Sequence, residues 1–389
     1  MDKDYLSKVG AVALNVIFGY EPKFSHNIID ALGSADAVFS LPQKDLRDIF
    51  GPYNKYLSLI NGESLEKAAG LTERLLSRGY GILSIYDDGY PALLRECEDA
   101  PMVLYVRSST PAEKLFNSRP AVSIVGTRDI SPYGKEWCTR IVDAIASAPS
   151  KPLIVSGLAI GVDITAHMAA MDCGLPTIAV LPVGIEDVYP ARHGAAAREI
   201  ASRPGCALIT DYPPGTTPQA FTFLRRNRII AGISQATILV ESKAKGGGTM
   251  TARLASGYGR EVLALPGRID DVRSQGCNRL LREKVAEPID SLDNLPLALG
   301  LGLYDRRRKG DLERELRDRY EAELGEDRTR EVLSVALLVK KNRGISVDEI
   351  CRALAIDYSE ALQITGLLEG DGFIETDLLQ RCAINAKKY

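Results

Sequence analysis

Three observations predict an α/β fold organised around a parallel sheet. Six apolar runs, at 121–125, 153–155, 177–181, 207–210, 236–240 and 262–265, have the length of short strands and are separated by helical stretches. Near-continuous apolar runs of this kind suit strands covered on both faces, the usual condition of a parallel sheet. Each run ends in small, polar or basic residues, at 126–128, 156–163, 182–184, 211–215, 241–249 and 266–268. In such open sheets the carboxyl ends of the strands share an edge, and ligands bind in the crevice there. Segments far apart in sequence are therefore expected to line one site.

The connecting helices carry readable signals. Ser131 is an expected N-cap with Pro132 at the first helical position. Asp163 is expected to cap a helix over 164–173, closed by Gly174. Short strand-like pieces at 81–86 and 102–107, around Tyr90-Pro91, extend the sheet upstream. Residues 1–75 read as a small helical module of the SAM or helix-hairpin type. It is broken at Gly19-Tyr20-Glu21-Pro22, Gly33-Ser34, Leu41-Pro42 and Gly51-Pro52. The core is expected over 76–290 and a linker over 291–328. Within that linker, 292–302 is an apolar connector and 304–330, dense in alternating charges, reads as a solvated helix or linker. The tail, 329–389, shows helices at 329–341, 346–354 and 358–368, the second opened by Ser346 with Glu349 three residues on. A hairpin at 373–376 and 382–385 follows Gly370-Asp371-Gly372, and three helices with a two-stranded wing make a winged helix.

Bulk composition narrows the function classes. At 389 residues, two or three domains are expected. No stretch approaches the roughly 20 apolar residues of a membrane span, and Met1-Asp2-Lys3-Asp4 is no signal peptide, so a cytoplasmic protein is expected. The seven cysteines form no Cys-x-x-Cys pair and there are three histidines. Reduced thiols and no structural metal are therefore expected. The net charge of −3 is unevenly spread: 1–120 carries 13 basic against 16 acidic residues, 121–290 carries 19 against 16, and 291–389 carries 16 against 19. The sheet region alone is basic, which permits a phosphate-bearing partner. The acidic front module argues against DNA binding there.

Four segments hold the chemistry. Gly126-Thr127-Arg128 follows a strand, offering free backbone, a hydroxyl and a bidentate cation for a phosphate. In the segment from Ser156 through Gly157, Ala159 and Gly161 to Asp163, His167 lies four residues after Asp163 on the same helix face. One reading is an Asp–His acid/base pair; no nucleophile or metal cluster accompanies it, which favours the other, with Asp163 as a cap and His167 satisfying a nearby carbonyl. Arg226, Asn227 and Arg228 precede the apolar stretch 229–232, which favours a fixed role, the arginines positioning phosphates and Asn227 bonding backbone or base. Gly246, Gly247 and Gly248, followed by Thr249 and Thr251, read as a phosphate cradle opening a helix, with both threonines as hydroxyl donors. The loop lacks the Gly-Lys-Ser/Thr ending of a P-loop and the spacing of a dinucleotide fingerprint.

Together these motifs, with Tyr133, Gly134, Tyr189-Pro190, Pro266-Gly267 and Gly276-Cys277-Asn278, resemble in kind and order the DNA-processing protein A (DprA/Smf) family. The resemblance is strongest from about 80 to 285. It implies an extended Rossmann-like core that binds single-stranded DNA, forms a homodimer, protects DNA strands and helps load the RecA recombinase in natural transformation and homologous recombination. It implies no cofactor and no catalytic residues, and places the strand against Arg128 and the loops at 156–163, 226–228 and 246–251. Ile160 stands where the family commonly has a basic residue. After Asn278, the run Arg279-Leu280-Leu281-Arg282 replaces an approach to a Gly-Ala pair. The alternatives are a nucleotide-processing enzyme and a nucleotide sensor on a related scaffold. In phosphoribohydrolases a glutamate follows a comparable Gly-Thr, and here Ala252 holds that position, leaving no evident acid or base.

Overall fold

The structure is a computed structural model describing residues 3–19, 21–301, 312–342, 344–377 and 381–384. Tyr20, Gly302, 304–311, Arg343 and Asn385, which figure in the turn, connector, linker, tail and hairpin expected above, lie outside those residues. The chain divides into two compact units, 1–302 and 303–389.

The first unit holds a mixed α/β fold with a nine-stranded, mostly parallel sheet. Its strands are β1 (Gly81–Ser84), β2 (Val103–Arg107), β3 (Ala121–Val125), β4 (Leu153–Ser156), β5 (Thr177–Val180), β6 (Ala207–Thr210), β7 (Ala236–Leu239), β8 (Glu261–Ala264) and β9 (Glu287–Pro288). Their spatial order is β1-β2-β6-β5-β4-β3-β7-β8-β9. From β6 to β9 every pairing is parallel, whereas β1 and β2 join antiparallel at one edge. All six apolar runs form strands, each within about a residue of its expected bounds.

Strand β3 explains the near-continuous apolarity. Ala121 and Val125 enter the core on one face while Val122 and Ile124 enter the core on the other, so strand alternation consumes every side chain. Ser123, the polar exception, sits opposite Thr237 of β7, and their hydroxyls bond at 2.7 Å. That contact satisfies two buried polar groups inside the sheet.

Beyond β6 the chain crosses to the far side of β3 to lay down β7. The topological switch therefore lies beside β3, and the carboxyl ends of β3, β4 and β7 meet there. Helix Pro132–Ala146 is capped by Ser131, whose hydroxyl accepts from Gly134 N at 3.0 Å. The N-terminal helices Lys3–Phe18, Pro22–Leu32 and Gly62–Ser77 bury Leu14, Phe18 and Leu75 in the same core as Ile82, Met102 and Tyr105. Asn15 reaches further and donates to the Asp211 carbonyl at 2.7 Å.

The second unit contains helices Leu312–Lys341, Val347–Leu354 and Tyr358–Gly370, with a three-stranded sheet of Ile345–Ser346, Arg381–Ile384 and Ile374–Thr376 in that order. The first helix breaks at Gly325, whose φ is 75°. Ser346 and Glu349 form the reciprocal capping box. One expectation is corrected here. The stretch from Leu312 is helical, but Leu312, Leu316 and Tyr320 are buried in this unit's core, so it is not a wholly solvated helix. An apolar stripe at four-residue spacing was hidden among the alternating charges.

Candidate functional site

The carboxyl edge at the switch encloses a crevice of about 510 Å³. Its walls come from the turn after β3, the loop after β4, helix Ala220–Ile233, and the loop after β7 with the helix Gly247–Gly257 that it opens. Backbone contacts fix these pieces together. Thr127 N donates to the Glu241 carbonyl at 2.7 Å, and Val162 N donates to the Thr127 carbonyl at 3.1 Å. A methyl on Gly248 would stand 2.9 Å from the Gly126 Cα, so glycine at that position lets two loops touch backbone to backbone. Gly161 has a φ of +86°, and a side chain there would strike the Thr127 carbonyl.

Four cations define the site's charge. Arg128 is exposed, its guanidinium 4.9 Å from the centre of the Phe223 ring. Tyr189 meets the same ring edge-on at 5.2 Å between centroids. Lys243 and Lys245 are exposed on the loop after β7 and line the crevice, and among the described residues neither forms an ion pair. Arg226 is different, being 4% exposed. It donates to the Val180 carbonyl at 2.7 Å while its buried Nε has no partner among the described residues. Burial pushes its pKa down to about 10 against the attraction of Asp163, and it still carries its charge at neutral pH. Arg228, the other cation expected here, faces elsewhere.

Asp163 is reassigned. It does not cap the following helix, which runs Val162–Asp172 with Gly161 at its N-cap. Its carboxylate instead accepts from Gly157 N at 3.1 Å and Ala159 N at 3.4 Å, holding the glycine loop closed over the end of β4. Burial raises its pKa, with Arg226 opposing. His167 contacts the Thr177 hydroxyl through Nδ1 at 2.7 Å and not a carbonyl, and its Nε2 has no partner among the described residues.

The crevice gathers Gly126, Thr127, Arg128, Ala159, Asp163, Arg226, Asn227, Gly246, Gly247, Gly248 and Thr251. Gly157 borders a smaller recess beside it, with Arg128 and Tyr189. Other expected residues turn away. Ser156 is fully buried and donates to the Ile124 carbonyl at 2.6 Å. Arg228 lies outside the crevice, its guanidinium 2.5 Å from the Asp211 carboxylate and 2.6 Å from the Asp99 carbonyl. It holds its helix to the sheet and is not presented to a ligand. The hydroxyls of Thr249 and Thr251 are engaged internally, with Ser242 and the Lys243 carbonyl and with the Gly247 carbonyl respectively. They shape the glycine loop, whose Gly246 N donates to the Lys243 carbonyl at 3.0 Å, while among the described residues Gly247 N and Gly248 N, in the first turn of the helix, have no acceptor. The Thr127 hydroxyl accepts from Asp129 N at 3.2 Å, so its proton stays available.

Phe223, Leu224, Lys243 and Lys245 line the crevice without having been singled out from sequence. The helical spacing from Phe223 to Arg226 and Asn227 was a usable signal, as were two lysines in a loop directly after a strand.

One further carboxylate closes a neighbouring position. Glu241, 1% exposed at the end of β7, accepts from Ser131 N at 2.9 Å and Ser131 Oγ at 2.5 Å. It packs against Gly134, where any side chain would collide with it. The N-terminus of helix Pro132–Ala146 is thereby occupied from within. The groups in the crevice are suited to holding several phosphates: exposed cations in Arg128, Lys243 and Lys245, a buried cation in Arg226, and the N–H groups of Gly247 and Gly248 at the start of a helix.

Comparison with known proteins follows the same outline. The family model of DNA recombination-mediator protein A matches residues 81–299, a span that includes all nine strands of the large sheet. DNA processing protein DprA of Streptococcus pneumoniae is 37% identical over 200 residues, covering 51% of this chain and 68% of that protein. Protein Smf of Escherichia coli K12 is 37% identical over 213 residues, covering 54% and 55%. The chain spans 60% of the length of the Mycobacterium tuberculosis relatives it matches. The X-ray structure of DNA processing protein A from S. pneumoniae superposes with a TM-score of 0.58 at 31% identity, over 76% of this chain and 95% of that one. A structure concerned with the single-stranded DNA binding mode of DNA processing protein A from Helicobacter pylori gives a TM-score of 0.50 at 29% identity, over 57% and 96%.

Proposed function

We propose, on the premise that this chain belongs to the DNA recombination-mediator protein A family, that its basic crevice holds single-stranded DNA. The observation that carries this reading is the convergence of Arg128, Arg226, Lys243 and Lys245 on the backbone of Gly246, Gly247 and Gly248. Arg128 and the two lysines neutralise phosphates at the rim. Arg226 sits where a phosphate leaving water meets an under-bonded guanidinium. Phe223, carrying Arg128 on its face, offers a sequence-tolerant surface for a base. The H. pylori relative's described binding of single-stranded DNA supports the assignment.

Kinship supports, as part of the same proposal, a wider role in protecting strands in transformation and recombination and in loading RecA, as a homodimer with no reaction of its own. The second unit, read as a winged helix, is assigned to protein contacts. Its helix Tyr358–Gly370 has no lysine or arginine, and Glu360 is ion-paired with Arg328 at 2.5 Å. A recognition helix normally brings basic or amide side chains to the major groove.

Affinity for an oligodeoxythymidylate should fall with salt, and Arg128→Ala should flatten the slope of log K against log salt by roughly 0.7. An unchanged slope and affinity in Arg128→Ala would remove the crevice from the binding path. A duplex of equal length binding equally well would remove the preference for single strands.

A further inference from the structure

A second cavity, of about 590 Å³, lies beside the crevice and shares Lys245 and Gly246 with it. Arg253 and Arg279 enter it from helices Gly247–Gly257 and Gln275–Arg282 and converge on Glu283. Arg253 Nη2 pairs with one oxygen of that carboxylate, and Arg279 Nε lies 2.7 Å from the other. Two guanidiniums gripping two oxygens of one anion is the geometry by which arginine also takes a phosphate. All three side chains are open to solvent, at 42%, 44% and 28% exposure for Arg253, Arg279 and Glu283. Exposed ion pairs of this kind are worth little, so exchanging the carboxylate for another anion costs little. The two arginines lower the Glu283 pKa, and it is charged at neutral pH. With Lys245 counted, the cavity carries three cations against one carboxylate and remains net positive.

We infer that a DNA strand seated in the crevice continues past Gly246 into this second cavity, where Arg253 and Arg279 exchange Glu283 for the strand's next phosphate. The inference rests on the crevice being the primary strand site, and it adds a phosphodiester subsite with a built-in competitor. Glu283 then acts as a gate on footprint length. Short strands leave it in place, and long strands displace it.

The test uses the full chain and oligodeoxythymidylates of graded length, from about four to about sixteen nucleotides, titrated by fluorescence anisotropy at several salt concentrations. Arg253→Ala with Arg279→Ala should flatten the salt slope by roughly 0.7 to 1.4 for the longest strands and leave the shortest strands unaffected. Glu283→Gln should strengthen long-strand binding severalfold with no effect on short strands, a gain that misfolding cannot imitate. Equal losses at every length, no loss at any length, or weaker long-strand binding by Glu283→Gln would each overturn the inference. Arg128→Ala in the same series separates the two readings. If it leaves the shortest strands unaffected, the crevice assignment fails. If it weakens them while the double variant changes nothing, only the second subsite fails.

Discussion

The Arg226 guanidinium lies directly over the Cα of Gly157, in space that any β-carbon at that position would occupy. A glycine on one loop thus sets the position of a buried cation on a helix about seventy residues away in sequence. Gly157→Ala should force the guanidinium from its bond to the Val180 carbonyl. Weakening of single-stranded DNA binding by about 1–3 kcal/mol is expected, the usual cost of disturbing a buried polar group. Anisotropy titration beside the native protein measures it, and an unaltered Kd would show that Arg226 does not meet the strand.

Arg228 and Asp211 form an ion pair with side chains 6% and 4% exposed. Removing one partner strands the other in the core, so Arg228→Ala should lower unfolding stability by about 3–5 kcal/mol in urea titrations. At temperatures where the variant is folded, its salt slope for DNA should equal that of the native protein. A flattened slope would place Arg228 among the phosphate contacts after all.

Acid stability should carry a contribution from His167. Burial foremost, then the charges of Arg226 and His193, push its pKa down from 6.5 to about 3. The unfolded chain binds a proton near pH 6.5 that the folded chain refuses. Stability is therefore unaffected by this group above pH 6.5 and falls by about 1.4 kcal/mol per pH unit below it, levelling near the folded value. His167→Asn should remove that part of the decline between pH 6 and 4. Parallel urea titrations across this window, with identical slopes for variant and native protein, would contradict it.

A chain ending at Gly302 should fold and retain most of its affinity for single-stranded DNA, because residues 1–302 form a compact unit and contain the whole crevice. Circular dichroism and anisotropy on the truncated chain check both parts. A folded truncation with affinity reduced tenfold would assign DNA binding to the second unit.

The six central strands were legible because burial on both faces forces an apolar run whatever the ligand. The glycine loops were legible too, since close backbone approach admits nothing larger at Gly161 and Gly248. Burial of individual charges was not. Arg226 and Arg228 are two residues apart on one helix, yet the first lines the crevice and the second reaches Asp211. Rotation of about 200° between such positions decides their roles, and a run of charged letters does not reveal it. Asp163 misled for a related reason. Its position fits a helix cap, and its carboxylate turns back to the loop to accept from Gly157 N and Ala159 N. The stripe of Leu312, Leu316 and Tyr320 escaped because charged neighbours at intervening positions dominated the local composition.

Glu241 gives the scaffold a permanent tenant. Mononucleotide-binding sheets ordinarily keep the helix after their first parallel strand vacant for the ligand's pyrophosphate. In this chain an acid from the neighbouring strand lives there, anchored by Ser131 and walled in by Gly134. A free dinucleotide arriving in the conventional register would meet a negative charge and no room. The crevice that remains lies between the turn after β3, helix Ala220–Ile233 and the glycine loop after β7. Under the proposed function, that occupied position disfavours a small molecule in the conventional register and leaves the neighbouring crevice to a strand.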